Sequence, residues 1–309
     1  MVQEGYAINL DKKGYHISID GWMGNLGNHL IQMSGALNVA KNTQSRLTIP
    51  KHPLLRRRTF DFTDSKNDNC SEEIVGRFFY KSECFQYPIV YDRDRRRIFQ
   101  DNLYEVLLKR NLREHIHDVL NRKPLEQVHP HTLVINMRSG RDIFTADPPP
   151  QNDYMQPPLS FYKRVIESNS YQDCLIVTEA DRRNPCIEGL LSWSPKVRLK
   201  THTSVKDDLR TILGATHLVM CHSTFSWCLA LMSKHLEMLH QPHTFLIRGI
   251  GNFSIDTYTF DNYIKPGEWK CSPEQLDEML NHSVDDIRVI HEPRTANGEV
   301  ANPEPSCFW

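Results

Sequence analysis

The sequence has little that would place the protein in a membrane or on nucleic acid. Its apolar runs fall short of the ~20 residues that a membrane-spanning helix needs, and residues 1–13 lack the apolar core of a signal peptide. The formal net charge is -1, so no overall positive field attracts nucleic acid or an anionic membrane. We therefore expect no nucleic-acid partner and no transmembrane segment. The chain is expected to be soluble, and to be either cytoplasmic or a secretory-pathway (Golgi) protein without its export segment.

Several motifs of well-known chemistry are also missing. The eight cysteines include no C-x-x-C pair, which argues against a zinc site. No G-x-S-x-G surrounds Ser223, so a serine hydrolase is disfavoured. The glycine-rich segment 21–28 matches neither G-x-G-x-x-G nor a Walker loop. Cys174 and Cys221 lie in apolar, strand-like runs and are expected to be buried free thiols.

What remains is the composition of an ordinary globular protein. Of the 309 residues, 39% are hydrophobic and 24% are charged, and this length favours about two domains. The chain opens with a strand, a glycine turn, a helix and a strand, which predicts a βαβ unit. These segments cover 15–20, 21–28, 29–41 and 46–50, followed by a stretch of weak periodicity over 51–100, a helix over 101–120 and a linker over 122–131.

The second half predicts a doubly wound α/β domain. Apolar strands alternate with helices, as expected for a parallel sheet that is covered on both faces. The predicted strands cover 132–136, 174–178, 217–221 and 244–248, and the predicted helices cover 158–168, 204–213, 224–233 and 273–280. Ligands of such sheets bind beyond the carboxyl ends of the strands, so the residues that follow each strand are the first candidates for a site.

An arginine follows the first of these strands, and a hydroxyl-rich helix start follows the third. Arg138 stands beside serine and glycine, and a guanidinium fork with small neighbours suits a phosphate. A structural salt bridge explains the same residue equally well. Hydroxyls and N–H groups at a helix N-terminus favour an anion. Simple capping accounts for one hydroxyl better than for the three at Ser223, Thr224 and Ser226.

Acidic residues follow the second strand and begin the next helix. Glu179 and Asp181 are candidates for binding ribose hydroxyls or a base edge. Asp208, beside Asp207, is a further candidate, because a carboxylate accepts both N–H groups of guanine's Watson–Crick edge, which adenine does not offer. Taken singly, each acidic pair is explained as well by dipole capping or by a solvated charge.

Two segments together resemble fucosyltransferases that use GDP-fucose, particularly the α1,2 type and the related protein O-fucosyltransferases. Residues 24–32, Gly-Asn-Leu-Gly-Asn-His-Leu-Ile-Gln, are similar to that family's G-x-x-G-N-Q segment, with His29 where glutamine is usual. Residues 136–142 are similar to its H-x-R-x-G-D segment, with Asn136 in place of histidine and Arg141 inserted before the aspartate.

A third segment carries the most specific part of the resemblance. Asp208-Leu209 and then Ser223-Thr-Phe-Ser-Trp227 are similar to the family's D-L and S-T-F-S-W segments. The order and spacing of all these motifs agree with the family over roughly residues 15–235.

The resemblance implies an α/β fold of the GT-B type, with two Rossmann-like domains facing each other across a cleft. An acceptor-side domain would cover 1–125, a nucleotide-sugar domain 126–270, and a terminal helix and tail 271–309. Such enzymes invert the anomeric carbon and need no bound metal. The implied catalytic residues are Arg138, on the β-phosphate, and Asp142. The implied donor-binding residues are Gly24, Asn25, Gly27, Asn28, Asn136, Arg138, Glu179, Asp208, Ser223, Thr224 and Phe225.

The function expected from the sequence is therefore transfer of fucose from GDP-fucose, with no other cofactor, to a hydroxyl of a glycan or glycoprotein acceptor. The base that activates the acceptor has three candidates: Asp142, Asp147 and His29. One alternative is another nucleotide-sugar transferase that binds a metal through Asp92 and Asp94, although the arginines around that pair would repel a divalent cation. The other is a non-catalytic carbohydrate or nucleotide binder on the same fold.

Overall fold

The computed structural model describes residues 14–63, 73–76, 109–117, 125–126, 128–147, 150, 154–200, 204–244, 246–247 and 252–294. The chain divides into two compact units, Met1–Pro124 and Leu125–Trp309. In the described residues, no helix is both long and apolar enough to cross a membrane.

The first unit contains a small sheet with one long helix. Its elements are β1 (His16–Ile19), α1 (Leu26–Asn42), β2 (Arg46–Thr48), β3 (Thr59–Asp61) and β4 (Glu73–Gly76), and the strand order is β3-β2-β1-β4. Strand β1 is parallel to β2 and β4, whereas β3 is antiparallel to β2. The predicted βαβ unit is thus confirmed. Of the predicted helix over 101–120, the structure describes 109–117, which is helical and includes a π-helix, Leu112–Ile116.

Helix α1 begins three residues before the predicted start at His29. Gly27 and Asn28, which were expected in the glycine turn, therefore lie in the first helical turn. The helix is buried nearly all round, so even polar side chains inside it need protein partners. Gln32, for example, is fully buried and binds the backbone of the preceding turn at both ends of its amide: Nε2 donates to the Gly21 carbonyl and Oε1 accepts the Met23 N–H.

The second unit alternates strands and helices around a larger sheet. Its elements are β5 (Thr132–Met137), α2 (Leu159–Glu167), β6 (Asp173–Thr178), α3 (Cys186–Trp193), β7 (Val197–Leu199), α4 (Val205–Leu213), β8 (His217–Val219), α5 (Thr224–Met232), β9 (Met238–Pro242), β10 (Ser254–Phe260), α6 (Pro273–Asn281) and β11 (Ile287–Glu292).

The seven strands follow the order β11-β10-β9-β8-β5-β6-β7. Strands β5 to β10 are parallel to their neighbours, and β11 is an antiparallel edge strand. Numbered from β5, the first six strands have the doubly wound order 3-2-1-4-5-6. All six residues of β5 are buried, as expected for a central strand covered on both faces. The order reverses between β5 and β8, and this pair forms the switch point of the sheet.

The prediction of a strand over 244–248 is wrong. The fifth strand, β9, lies earlier, at Met238–Pro242, while Thr244 is in a turn and residues 246–247 are not in a strand. The apolar run at 244–248 predicts a strand, whereas the actual strand β9 carries two buried polar residues whose side chains bond to partners outside β9. His240 bonds to Tyr171, and Gln241 bonds to the backbone of Ile247.

Candidate functional site

Two predicted site segments leave the sheet side by side at the switch point. In the register of β5 with β8, Ile135 is opposite Val219, so the exits that carry Arg138 and Ser223 begin next to each other. A side-chain bond continues this pairing past the strand ends, because the Cys221 thiol donates to Asn136 Oδ1 at 3.3 Å. The crevice at a switch point is where doubly wound sheets bind their ligands.

Asn136 joins the strands at this edge through hydrogen bonds. It is buried, and its amide Nδ2 donates to the carbonyl of Val177 on β6 at 3.2 Å, while Oδ1 accepts from Cys221. Both ends of the amide are thus bonded within the protein. The structure gives Asn136 the role of fixing the ends of three strands, and its binding to a donor stays a prediction.

Arg138 is mostly buried and is held between two carboxylates. Its Nη1 lies 2.6 Å from Glu179 Oε1, and its Nη2 donates to Asp142. Burial alone would lower the pKa of Arg138, but Glu179 and Asp142 outweigh burial and raise it. Burial also raises the pKa of Glu179, although Arg138 opposes this change. The guanidinium is therefore charged and fixed at the carboxyl end of β5.

The backbone around Arg138 is tied to the loop before α3 by a residue that the sequence analysis missed. Asn184 is buried; its Nδ2 donates to the Arg138 carbonyl and its N–H donates to Ser139 Oγ, both at 3.0 Å. Its Oδ1 accepts the N–H of Cys186 in the first turn of α3. An asparagine before a proline and a helix is a common capping pattern, but the sequence does not show that it also bonds to a distant arginine loop.

Two serine hydroxyls in the turn at the start of α5 bond to the backbone of that turn. Ser223 is the N-cap, and its Oγ accepts the N–H of Phe225 at 3.2 Å. Ser226 Oγ lies within hydrogen-bond distance of the carbonyls of Cys221 and Ser223. Thr224 and Phe225 are half-buried at the positive end of the helix dipole. Capping thus explains Ser223, and bonding to backbone carbonyls explains Ser226, so the anion site rests on the helix end itself.

Residues 154–156, which the sequence analysis did not single out, contact this turn. Gln156 is fully buried, and its Nε2 donates to the carbonyls of Tyr154 and of His222. The centroids of the Tyr154 and His222 rings lie 6.3 Å apart, and the rings meet edge to face. Because 154–158 has no periodicity, the sequence offers no signal for this contact.

Asp208 differs sharply from its neighbour. Asp207 caps α4 together with Ser204, which donates to its carboxylate at 2.7 Å. Asp208 is half-buried, and its Oδ1 has no hydrogen-bond partner in the described structure. Burial raises the pKa of Asp208 to about 7, with Lys200 opposing the rise and Glu179 adding to it. A partly dehydrated carboxyl group without a donor is well suited to a ligand that brings N–H groups.

The other predicted donor-binding residues lie in the first unit, around the glycine turn. Gly24 adopts a φ of +66°, and a Cβ there would lie 2.2 Å from the Asn28 side chain, so this position requires glycine. The carbonyl of Asn25, the exposed residue before α1, accepts the His29 N–H at 3.1 Å. Gly27 is buried, whereas Asn28 is half-buried.

Both ring nitrogens of His29 form hydrogen bonds. The tautomers of His29 and His52 follow from the backbone N–H that bonds to His52. The N–H of Leu54 donates to His52 Nδ1, so in neutral His52 the proton is on Nε2, which then donates to His29 Nδ1. His29 Nε2 in turn donates to the Gly24 carbonyl at 2.8 Å. Burial lowers the pKa of His29 and lowers that of His52 to about 4. His29 thus holds the glycine turn.

Of the remaining candidates, Asp147 is exposed, and Asp181 forms an ion pair with Arg183 at 3.3 Å. Asp92 and Asp94 lie outside the described residues. Within the described ranges, no group of three or more histidine, cysteine or acidic side chains is arranged to hold a metal ion. The prediction that Cys174 and Cys221 are buried free thiols is confirmed.

Comparison with known proteins finds likeness in structure only. No family model and no curated protein matches the sequence. Among solved structures, POFUT1 in complex with GDP aligns at a TM-score of 0.39 and 11% identity, covering 72% of this chain and 96% of that one. NodZ alpha-1,6-fucosyltransferase soaked with GDP-fucose aligns at a TM-score of 0.39 and 12% identity, covering 91% and 100%. Scores this low carry no inference about the activity of this chain.

Proposed function

We propose that this protein is a glycosyltransferase that moves fucose from GDP-fucose to a hydroxyl of a glycan or protein. The observation that carries the proposal is the placement of a mostly buried, charged Arg138 at the switch point of a doubly wound sheet, next to the exit of β8 that leads into α5. The motifs at 136–142 and 223–227 both follow strands that end at this edge, and the resemblance of these motifs and of residues 24–32 is the reason for choosing GDP-fucose among nucleotide sugars.

The diphosphate is proposed to bind between Arg138 and the turn Ser223–Thr224–Phe225. As the bond from fucose to the diphosphate breaks, negative charge grows on the β-phosphate and the sugar gains oxocarbenium character. A guanidinium and the positive end of a helix stabilise that charge without reorganising. The acceptor oxygen would attack from the opposite face and invert the anomeric carbon, with Asp142 as the proposed base. A divalent metal is not required for this charge stabilisation.

Asp208 is the proposed reader of guanine. Its unpartnered Oδ1 and raised pKa describe a carboxyl group that gains from two N–H donors on one ligand edge. Guanine supplies such a pair at N1 and N2, whereas adenine does not. Glu179, one strand away, is partly bonded to Arg138 and to the Ser139 N–H, and is proposed to set the charge at the diphosphate.

The first unit is proposed to supply the remaining donor contacts through Gly24, Asn25, Gly27 and Asn28. This part of the proposal includes the GT-B arrangement, in which two Rossmann-like domains face a common cleft. Its support is the resemblance of residues 24–32 to the family segment, together with the exposure of Gly24 and Asn25 in the turn before α1.

A nucleotide screen by thermal shift tests the proposal. GDP and GDP-fucose at concentrations well above their dissociation constants should raise the melting temperature, because ligands that bind only the folded state stabilise it. UDP and ADP should raise it much less, and EDTA should leave the GDP shift unchanged. Equal shifts for all three diphosphates would remove the guanine assignment. A GDP shift that EDTA abolishes would favour the metal-dependent alternative.

A further inference from the structure

The two carboxylates that hold Arg138 are anchored very differently. Glu179 is fixed by a second bond, since its Oε2 accepts the Ser139 N–H at 2.6 Å. Asp142 bonds through its side chain to Arg138, and no other described residue donates to it. The side chain of Asp142 is also more exposed than that of Glu179, 53% against 34%. Asp142 is therefore the partner that an incoming anion displaces more easily.

The backbone under Asp142 is fixed, so only its side chain is free to move. The Gly140 carbonyl accepts the N–H groups of Ile143 and Phe144, both at 3.0 Å. The Ile143 carbonyl in turn accepts the indole N–H of the fully buried Trp269 at 3.1 Å. A change of partner at Asp142 is thus a rotation about its side-chain bonds, with no movement of the loop.

Gly140 makes room for the contact between Asp142 and Arg138. A Cβ on Gly140 would lie 2.4 Å from Asp142 Oδ1 and 3.6 Å from Glu179 Oε1. The carboxylate of Asp142 therefore folds back over a position that has no side chain. Gly140 does not adopt a positive φ angle, so alanine is compatible with the backbone there, and its methyl group would push against the end of a mobile side chain.

We propose that Asp142 occupies the phosphate site of the empty protein as an internal anion and is exchanged for the donor diphosphate. This inference rests on the proposed function. A phosphate oxygen replaces the Asp142 carboxylate on Arg138, while Glu179 stays bound. The acidic side chain then swings into solvent next to the sugar, released from its ion pair.

The exchange makes the base available only after the donor has bound. In the transfer step, the acceptor oxygen forms a bond to the anomeric carbon and its proton passes to the released Asp142 carboxylate. The bond from that carbon to the diphosphate oxygen breaks, and GDP leaves with the electron pair, its charge held by Arg138. When GDP departs, Asp142 loses the proton to water and returns to Arg138.

The affinity of the full chain for GDP, measured by calorimetry, tests the exchange. Asp142→Asn removes the competing anion, so it should bind GDP about two- to fivefold more tightly than the unmodified protein, the factor that a partly exposed ion pair represents. Release of GDP from GDP-fucose, with water as the acceptor, should nevertheless be slower. Glu188→Gln is the matched control, because it removes an equal charge from an exposed position on α3 that has no proposed role in binding, and it should change the affinity less.

Gly140→Ala separates the ion pair from the general effect of charge. It keeps the Asp142 carboxylate, but its methyl group displaces Oδ1 and so should weaken the bond from Arg138 to Oδ2. GDP should again bind more tightly, and release from GDP-fucose should exceed that of Asp142→Asn. Unchanged or weaker GDP binding by both Asp142→Asn and Gly140→Ala would overturn the exchange while leaving the proposed function intact. An unmodified protein that does not bind GDP at all would instead refute the proposed function itself.

Discussion

At the scale of single residues, the proposed site depends on which partners the charged side chains of Arg138 and Asp208 have within the protein. Arg138 has two carboxylate partners, and Asp208 lacks a donor at Oδ1. Under the proposed function, Arg138 would bind the phosphates after Asp142 has moved away, and Asp208 would bind the N–H groups of the base. Both residues thus give predictions in which the charge, and not the shape, decides the outcome.

Arg138→Ala should weaken GDP binding by roughly 2–5 kcal/mol, because it removes one partner of a desolvated charge pair and leaves Glu179 and Asp142 facing the phosphate. Arg138→Lys should recover part of this loss, since lysine keeps the charge but not the fork. Calorimetry measures both. Arg183→Ala, at an exposed arginine paired with Asp181, is the control and should change the affinity little. Equal GDP affinity in Arg138→Ala would remove Arg138 from the site.

Asp208→Asn should have opposite effects on stability and on binding. The pKa of Asp208 is raised from 3.8 to about 7 in the folded state. Its contribution to stability is therefore fully present below pH ~4 and is lost as the pH rises through about 7. At pH 8, without ligand, Asp208→Asn should melt roughly 2–4 °C higher, the shift that ~1 kcal/mol produces in a domain of this size.

The same substitution should abolish the preference for GDP over ADP. GDP-fucose is the ligand for this test, because its diphosphate is a diester that does not titrate between pH 6 and 8, whereas the terminal phosphate of GDP does. In the unmodified protein, the affinity for GDP-fucose should increase as the pH rises from 6 to 8, because guanine binds the ionised carboxylate; in Asp208→Asn this pH dependence should be absent. Asp207→Asn is the matched control: it weakens the cap of α4 and should keep the pH dependence. An unmodified protein whose affinity for GDP-fucose is flat over this range would contradict the role of Asp208.

At the scale of elements, the glycine turn before α1 depends on one backbone conformation. Gly24→Ala should destabilise the turn by roughly 1–2 kcal/mol through its positive φ, with a further penalty because the methyl group would meet the Asn28 side chain. Urea unfolding measures the loss. The double variant Gly24→Ala, Asn28→Ala removes the clash and keeps the strain, so it should be intermediate between Gly24→Ala and Asn28→Ala. No change in Gly24→Ala would show that the turn does not need this conformation.

Elements with a clear period or cap were predictable from the sequence. The helix after Ser204 begins where that residue caps it, and the apolar run at 132–136 forms the central strand β5. Strand β9 was not predictable, because its polar His240 and Gln241 are buried by partners that are distant in sequence, including Tyr171 and Thr257.

In the site too, features set by neighbouring residues in the sequence were predictable, and contacts between distant segments were not. Arg138 and Ser223 were predictable because each follows a strand, and the sheet places those strands together. The two carboxylates on Arg138 and the bond from Asn184 to its carbonyl were not predictable. They depend on where side chains from other loops arrive, and local sequence patterns do not encode that geometry.

At the scale of the whole molecule, the proposed nucleotide contacts are unequally divided between the two units. Arg138, Asp208 and the turn at Ser223 all belong to Leu125–Trp309, which has a seven-stranded sheet and a buried core of its own. The first unit supplies only the proposed contacts around Gly24. Recognition of GDP is therefore expected to reside mainly in the second unit.

The second unit expressed alone, residues 125–309, should fold and bind GDP more weakly than the full chain but with the same preference over UDP and ADP. Circular dichroism checks the folding, and calorimetry checks the binding. The Arg138→Ala version of this fragment should not bind. A fragment that is folded but fails to bind GDP would mean that the first unit holds an essential part of the nucleotide site.

The thiol of Cys221 offers a chemical measure of how often the carboxyl ends of β5 and β8 separate. Its sulfur is fully buried in a bond to Asn136, and burial raises the pKa of the thiol to about 12. Alkylating reagents react with thiolates, so modification of Cys221 requires the ends of β5 and β8 to separate. The rate of that modification therefore reports how often the crevice comes apart, and a nucleotide that bridges the two exits would slow it.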